Sequence, residues 1–129
     1  MSKSEHSNIT FIENYRSRLL SNNSVIQFTD FGAGSRTKQG NERKIADIAK
    51  ISGTPKKYAN LLCKISDEYP SCKVLELGTS LGIGTLSLTS KGTKINSIEG
   101  DPEVFNFTKK NIPNSDIQII NSLFDDFIT

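Results

Sequence analysis

Several kinds of residue and pattern are scarce in this sequence, and each scarcity removes a class of function. Histidine occurs once, as His6 in a polar amino-terminal stretch, so no Ser-His-Asp or Cys-His arrangement can be built around it. The two cysteines, Cys63 and Cys72, do not have metal-ligand spacing. In a chain without a secretory signal they read as reduced thiols. No apolar run approaches the length of a bilayer span, and Met1 to His6 has no apolar signal core. The expectation is a soluble cytoplasmic protein with no membrane partner. Net charge is only +2, and the lysines and arginines are scattered. Without a basic stripe interleaved with aromatics there is no nucleic-acid signature. Apolar residues make up 35% of the 129 positions, low for a well-packed enzyme but too many for disorder, and the length suits a single domain.

The richest stretch is Val74-Leu75-Glu76-Leu77-Gly78-Thr79-Ser80-Leu81-Gly82-Ile83-Gly84-Thr85. Lys73 to Leu77 reads as a short buried parallel strand, broken by Gly78, Gly82 and Gly84. Thr85 to Thr89 then opens a helix that Gly92 stops. A strand, a glycine turn and a helix start offer outward N–H groups and close backbone approach to a ligand. A second acid, Glu99, ends a second strand-like run, Lys94 to Ile98. A carboxylate at that distance suits a ribose, whose two hydroxyls both donate to it. The dinucleotide pattern Gly-x-Gly-x-x-Gly fails, because Ser80 and Ile83 occupy its second and third glycine positions.

Elsewhere, apolar periodicity predicts an amphipathic helix near Ile9 to Leu20, with loose residues 1–7 before it. Ser21 to Ser24 reads as a turn and Val25 to Thr29 as a short extended piece. The loop Asp30-Phe31-Gly32-Ala33-Gly34-Ser35-Arg36 begins with a kinase-like triplet that nothing kinase-like accompanies, and it is left without a role. A second helix holds Ile45, Ile48, Ala49 and Ser52 and stops at Gly53. A third takes Thr54 as N-cap and Pro55 as its first residue, buries Tyr58, Leu61, Leu62, Ile65 and Tyr69, and ends at Pro70. After Glu99, Gly100-Asp101-Pro102-Glu103 supplies a turn, a cap and an N1 proline for a helix to about Lys110, which buries Val104, Phe105 and Phe107 in part. Ile117 to Ile120 is a third strand, and Asn121 to Phe127 lies just beyond it. In an open α/β sheet, ligands bind at the carboxyl ends of the strands. Glu76 to Gly84, Glu99 to Asp101 and Asn121 to Leu123 all fall on that edge.

The run Glu-Leu-Gly-Thr-Ser-x-Gly-x-Gly-Thr resembles motif I of the class I S-adenosylmethionine-dependent methyltransferases. Its Thr-Ser centre is similar to that of the small-molecule O-methyltransferase branch. With the second acid, the resemblance covers about Val74 to Phe127. It implies an α/β, Rossmann-like methyltransferase fold, of which this chain carries the amino-terminal half of the sheet as three parallel strands. Residues 1–70 would be a helical extension with a glycine-containing loop, and 71–129 the first part of the S-adenosylmethionine-binding domain. Such a sheet has more strands than three, so the resemblance also implies a truncated piece, inactive alone, whose acceptor-binding groups lie beyond Thr129. The implied function is methyl transfer from S-adenosylmethionine to an oxygen or nitrogen of a small molecule. The implied cofactor-binding residues are Glu76, Gly78, Thr79, Ser80, Gly82, Glu99 and Gly100, with Asn121 and Ser122 at the adenine edge. Glu76 would face the cofactor's ammonium group. No catalytic residue is assigned and no metal is expected; Asp125 and Asp126 read as solvated acids.

Two other classes remain open: a nucleotide- or dinucleotide-binding oxidoreductase module, and a non-catalytic domain that self-associates, as a homo-oligomer, through the edge of an exposed third strand.

Overall fold

The computed structural model describes residues 3–28, 42–112 and 114–128. In chain order the elements are α1 (Lys3–Leu20), β1 (Val25–Gln27), β2 (Glu42–Lys44), α2 (Ile45–Ser52), α3 (Lys56–Glu68), β3 (Lys73–Leu77), α4 (Ile83–Ser87), β4 (Lys94–Glu99), α5 (Pro102–Asn111), β5 (Ile117–Asn121) and α6 (Phe124–Ile128). The Asp30 to Arg36 loop lies outside the described residues. Among the described residues no helix is long and apolar enough to cross a membrane.

The main sheet is parallel, in the order β3-β4-β5. Alternation along the strands sorts its residues onto two faces. Val74, Ile95 and Ile117 form one row of the first face, and Glu76, Ser97 and Ile119 the next. The core gathers on this face and draws on Ile12, Tyr15 and Leu19 of α1, Ile45 and Ile48 of α2, Ala59 and Cys63 of α3, Leu86 of α4 and Val104 of α5. One apolar cluster therefore joins the amino-terminal helices to the sheet. The opposite face holds Leu75 and Leu77, 54% and 46% exposed, and only Ile98 is fully buried there. The expected burial of β3 is thus corrected. It is an edge strand with one covered face, since β4 alone pairs with it among the described residues.

Local chemistry accounts most fully for the boundaries of α5. Asp101 Oδ1 accepts the Glu103 and Val104 N–H groups at 2.9 Å each, with Pro102 next to it and Lys109 and Lys110 in the last turn. That is a complete set of start and stop signals for α5. α1 begins earlier than periodicity predicted, at Lys3, so residues 3–7 are helical rather than loose. Val25 to Gln27 is extended as expected, and it pairs antiparallel with Glu42 to Lys44, which carried no strand signal. α3 starts at Lys56, with Pro55 in the cap position and no side-chain cap. α4 starts at Ile83 rather than Thr85.

The largest difference concerns the orientation of α3. Most of its predicted apolar stripe faces outward: Tyr58, Leu61, Ile65 and Tyr69 are 55%, 50%, 46% and 62% exposed, and only Leu62 is half-buried. Ala59, Cys63 and Ser66 face inward instead. Small side chains let the helix lie close to its neighbours. Ser66 Oγ donates to the Leu88 carbonyl at 2.6 Å, and Asn8 Nδ2 lies 3.8 Å from Cys63 Sγ. Periodicity identifies a stripe but not the surface it meets.

Candidate functional site

The turn after β3 is built from unusual backbone. Gly78, Ser80 and Gly82 have φ of +97°, +49° and +92°. A left-handed serine costs about 1 kcal/mol and persists only where its surroundings hold it. Ser80 is held at three points. Its N–H donates to Glu99 Oε1 at 2.8 Å, its carbonyl accepts from Thr108 Oγ1 at 2.7 Å, and its hydroxyl lies 3.3 Å from Ser52 Oγ. The next carbonyl, on Leu81, accepts the buried Tyr15 hydroxyl at 2.5 Å. Burial pushes the Tyr15 phenol up to about 12, against a small lowering by Arg18, so it remains a donor at neutral pH.

The same turn corrects the expectation of outward N–H groups. Gly78 and Thr79 both donate to the Ile98 carbonyl, at 2.8 and 3.2 Å, and Gly82 donates to the Thr79 carbonyl at 3.0 Å. With Ser80 engaged by Glu99, four N–H groups of the turn serve the fold.

Beneath the turn lies a polar network on the covered face of the sheet. Glu76 Oε1 accepts from Thr85 Oγ1 at 2.5 Å and from Ser97 Oγ at 2.6 Å. Ser97 uses its proton there, so Thr79, 2.5 Å away, donates to Ser97. Burial raises the Glu76 pKa above the ordinary carboxylate value; the Ser97 and Thr85 hydrogen bonds oppose this, and the charge of Glu99 adds to it. Glu76 Oε2 and Thr54 Oγ1 lie 3.1 and 3.0 Å from the point where a side chain on Gly84 would begin. Any larger residue at Gly84 would press into that cradle. A recess of about 40 Å³ opens there, lined by Ser52, Thr54, Glu76, Thr79, Ser80 and Gly84 among others, room for about one water molecule or one ammonium group.

Glu99 closes the other side. Its Oε1 accepts from Ser80 and its Oε2 from the Asp101 N–H at 2.9 Å, which sets the plane of the carboxylate. Asn121 Nδ2 donates to the carbonyls of Glu99 and Gly100, at 2.9 and 3.3 Å, and the Ser122 N–H donates to Glu99 at 3.1 Å. The end of β5 is thereby tied to the end of β4.

Glu76, Gly78, Thr79, Ser80, Gly82, Glu99, Gly100, Asn121 and Ser122 therefore share the carboxyl edge of the sheet. Thr79 is buried beneath the turn, and Gly82 packs against Ile112 rather than facing outward. Sequence reasoning missed Tyr15, Ser52, Thr54, Ser97 and Thr108. Two of these had a signal. Ser97 shares the strand face of Ile95, and Thr108 the helix face of Val104, so each is a polar residue in an apolar row. Tyr15 looked like an ordinary core aromatic, and Ser52 and Thr54 like helix punctuation.

A wider cleft of about 410 Å³ lies at the amino ends of the strands, lined by Asn8, Cys63, Asp67, Lys91, Asn114 and Asp116 among others. Its polar groups are largely engaged with one another. Lys94 pairs with Asp116, the hydroxyls of Ser90 and Thr93 are 2.5 Å apart, and Thr89 Oγ1 donates to Leu86. Burial, then the charge of Asp67, push the Cys63 thiol up, against a hydrogen bond with Ser87, which makes it a poor nucleophile. Among the described residues no three His, Cys, Asp or Glu side chains converge as a metal site would require. Compared with protein-family models and with curated proteins, the chain matches none.

Proposed function

We propose that this chain carries the S-adenosylmethionine-binding part of a methyltransferase that acts on an oxygen or nitrogen of a small molecule. The observation that carries this reading is the pairing of two carboxylates, Glu76 and Glu99, around a turn whose Gly78, Thr79, Ser80 and Gly82 N–H groups are already engaged. A pyrophosphate needs free N–H donors at such a turn. A ligand with a cationic amino-acid end and a ribose needs acceptors, and acceptors are what this turn presents.

The donor and acceptor set fits that ligand group by group. Each Glu99 oxygen takes one backbone N–H and keeps further lone-pair capacity for a ribose hydroxyl. The Glu76 Oε2 and Thr54 Oγ1 cradle beside Gly84 suits an ammonium group, directly or through one water. When bound, S-adenosylmethionine supplies a methyl group on a sulfonium, ready for in-line transfer. The protein's part at this edge is to hold and orient. The tethers on Ser80 and Leu81 keep the turn in one conformation, so little ordering remains to be done on binding.

Calorimetric titration of the chain with S-adenosylhomocysteine, with NADH as the control, tests the reading. The expected result is saturable one-to-one binding that falls at least about tenfold in Glu99→Ala, the loss of a charge-assisted hydrogen-bond pair. Preference for NADH, or no binding by a chain that is folded by circular dichroism, would overturn it.

A further inference from the structure

We propose that the outward stripe of α3 is a self-association surface, and that its occupant is the same helix of a second copy packed antiparallel. Tyr58, Leu61 and Ile65 recur at spacings of three and four residues, so they form one continuous face on the helix, and Tyr69 follows at its C-cap. All four stand half in water, while the helix buries only its small residues against the fold. An amphipathic helix that turns its larger apolar face outward fits a partner helix with a matching stripe.

The charges on α3 select the partner and its direction. The first turn holds Lys56 and Lys57 and no acid, and the last turn holds Asp67 and Glu68 and no base. This order opposes the helix's own dipole, which favours anions at the amino end and cations at the carboxyl end. A second α3 running antiparallel reverses the mismatch. Each basic amino end then lies beside the acidic carboxyl end of the other copy. At 100° per residue, Lys57 and Glu68 fall on the same flank of the apolar stripe. A two-fold axis near the middle of the helix thus sets Lys57 of one copy beside Glu68 of the other, twice. Lys64 falls on the same flank near the axis, so the two copies of Lys64 lie side by side there and their long stems carry the ammonium groups outward into water. A parallel pair would instead align like charges along the whole helix. This surface differs from the strand edge that the sequence pointed to, and it does not involve the site at the carboxyl edge of the sheet.

Sedimentation equilibrium of the 129-residue chain between about 1 and 500 μM covers the affinities expected of an interface this small. The expected result is a monomer–dimer equilibrium that stops at two copies. Leu61→Lys should remain folded by circular dichroism, because the residue is exposed, and should weaken the dimer at least about tenfold. Lys57→Glu and Glu68→Lys should each weaken it several-fold. The double variant Lys57→Glu/Glu68→Lys should recover most of the loss, since the exchanged charges again meet their opposites. A monomer at every concentration overturns the proposal. So does a dimer indifferent to these charges, or assembly that grows past two copies, which would point to strand-edge pairing. None of these readouts uses a nucleotide ligand, so the result stands apart from the cofactor assignment.

Discussion

The two faces of the three-stranded sheet bury their residues by opposite rules. On the face that meets α1 to α5, Val74, Ile95 and Ile117 form a dry row, and the next row holds Glu76 and Ser97. On the other face Leu75 and Leu77 stand half in water. A carboxylate and a serine are thus better covered than two leucines in the same strands. Position relative to the helices, not hydropathy, decides burial here. The polar row is tolerated because Thr79, Ser97, Thr85 and Glu76 satisfy one another. It lies at the carboxyl end of the strands, where the site is.

The strongest way to break this contrast is to disturb the turn above the polar row. In Gly82→Val the new Cβ would start 2.1 Å from Ile112 Cδ1 and 3.2 Å from Thr108 Cγ2, at a φ of +92°. Backbone strain and overpacking together should cost about 3 kcal/mol. Urea unfolding would read this as a lower midpoint with an unchanged slope. A loss below about 1 kcal/mol would mean that α5 does not brace the turn.

Glu76→Gln sharpens the same comparison. The folded state raises the Glu76 pKa, so its charged form weighs against folding, and stability falls as pH rises from the ordinary 4.5 through the raised value. Glutamine keeps an acceptor for Thr85 and Ser97 and carries no charge. The variant should therefore be more stable than the parent at pH 7, with the difference vanishing as pH falls below the ordinary 4.5. The same change should weaken S-adenosylhomocysteine binding by about tenfold. Lower stability at pH 7 would show that the charge is needed by the fold rather than by a ligand.

The smallest effect belongs to the open face. Leu75→Ser should change stability by no more than about 0.5 kcal/mol, as for most exposed positions. A loss above about 2 kcal/mol in the same unfolding assay would show that this face is covered in solution.

Some features could be read directly along the chain, and others could not. The Asp101-Pro102 start of α5 was legible because capping is decided by neighbours in sequence. The three strands were legible because short apolar runs bounded by turns have few other uses. The co-location of Glu76 and Glu99 followed from parallel topology, which brings successive strand ends to one edge. The outward turn of α3 was not legible, because Leu61 and Ile65 look the same in sequence whichever way the helix rolls. Nor was the N–H inventory of the glycine turn, because the Ile98 carbonyl and the Glu99 carboxylate that engage it lie about twenty residues away.

By itself, then, the sequence determined the three strands of the main sheet, most of the helices and the acids at the ends of β3 and β4, though not β2 or α6, since propensity, capping and alternation act over a few residues. The tertiary structure decided which side of each element met the core, that Tyr15, Ser52 and Thr108 would hold the turn, and that the N–H groups of Gly78, Thr79, Ser80 and Gly82 would be taken up within the fold. Those outcomes depend on contacts between residues far apart in the chain, and no local pattern records them.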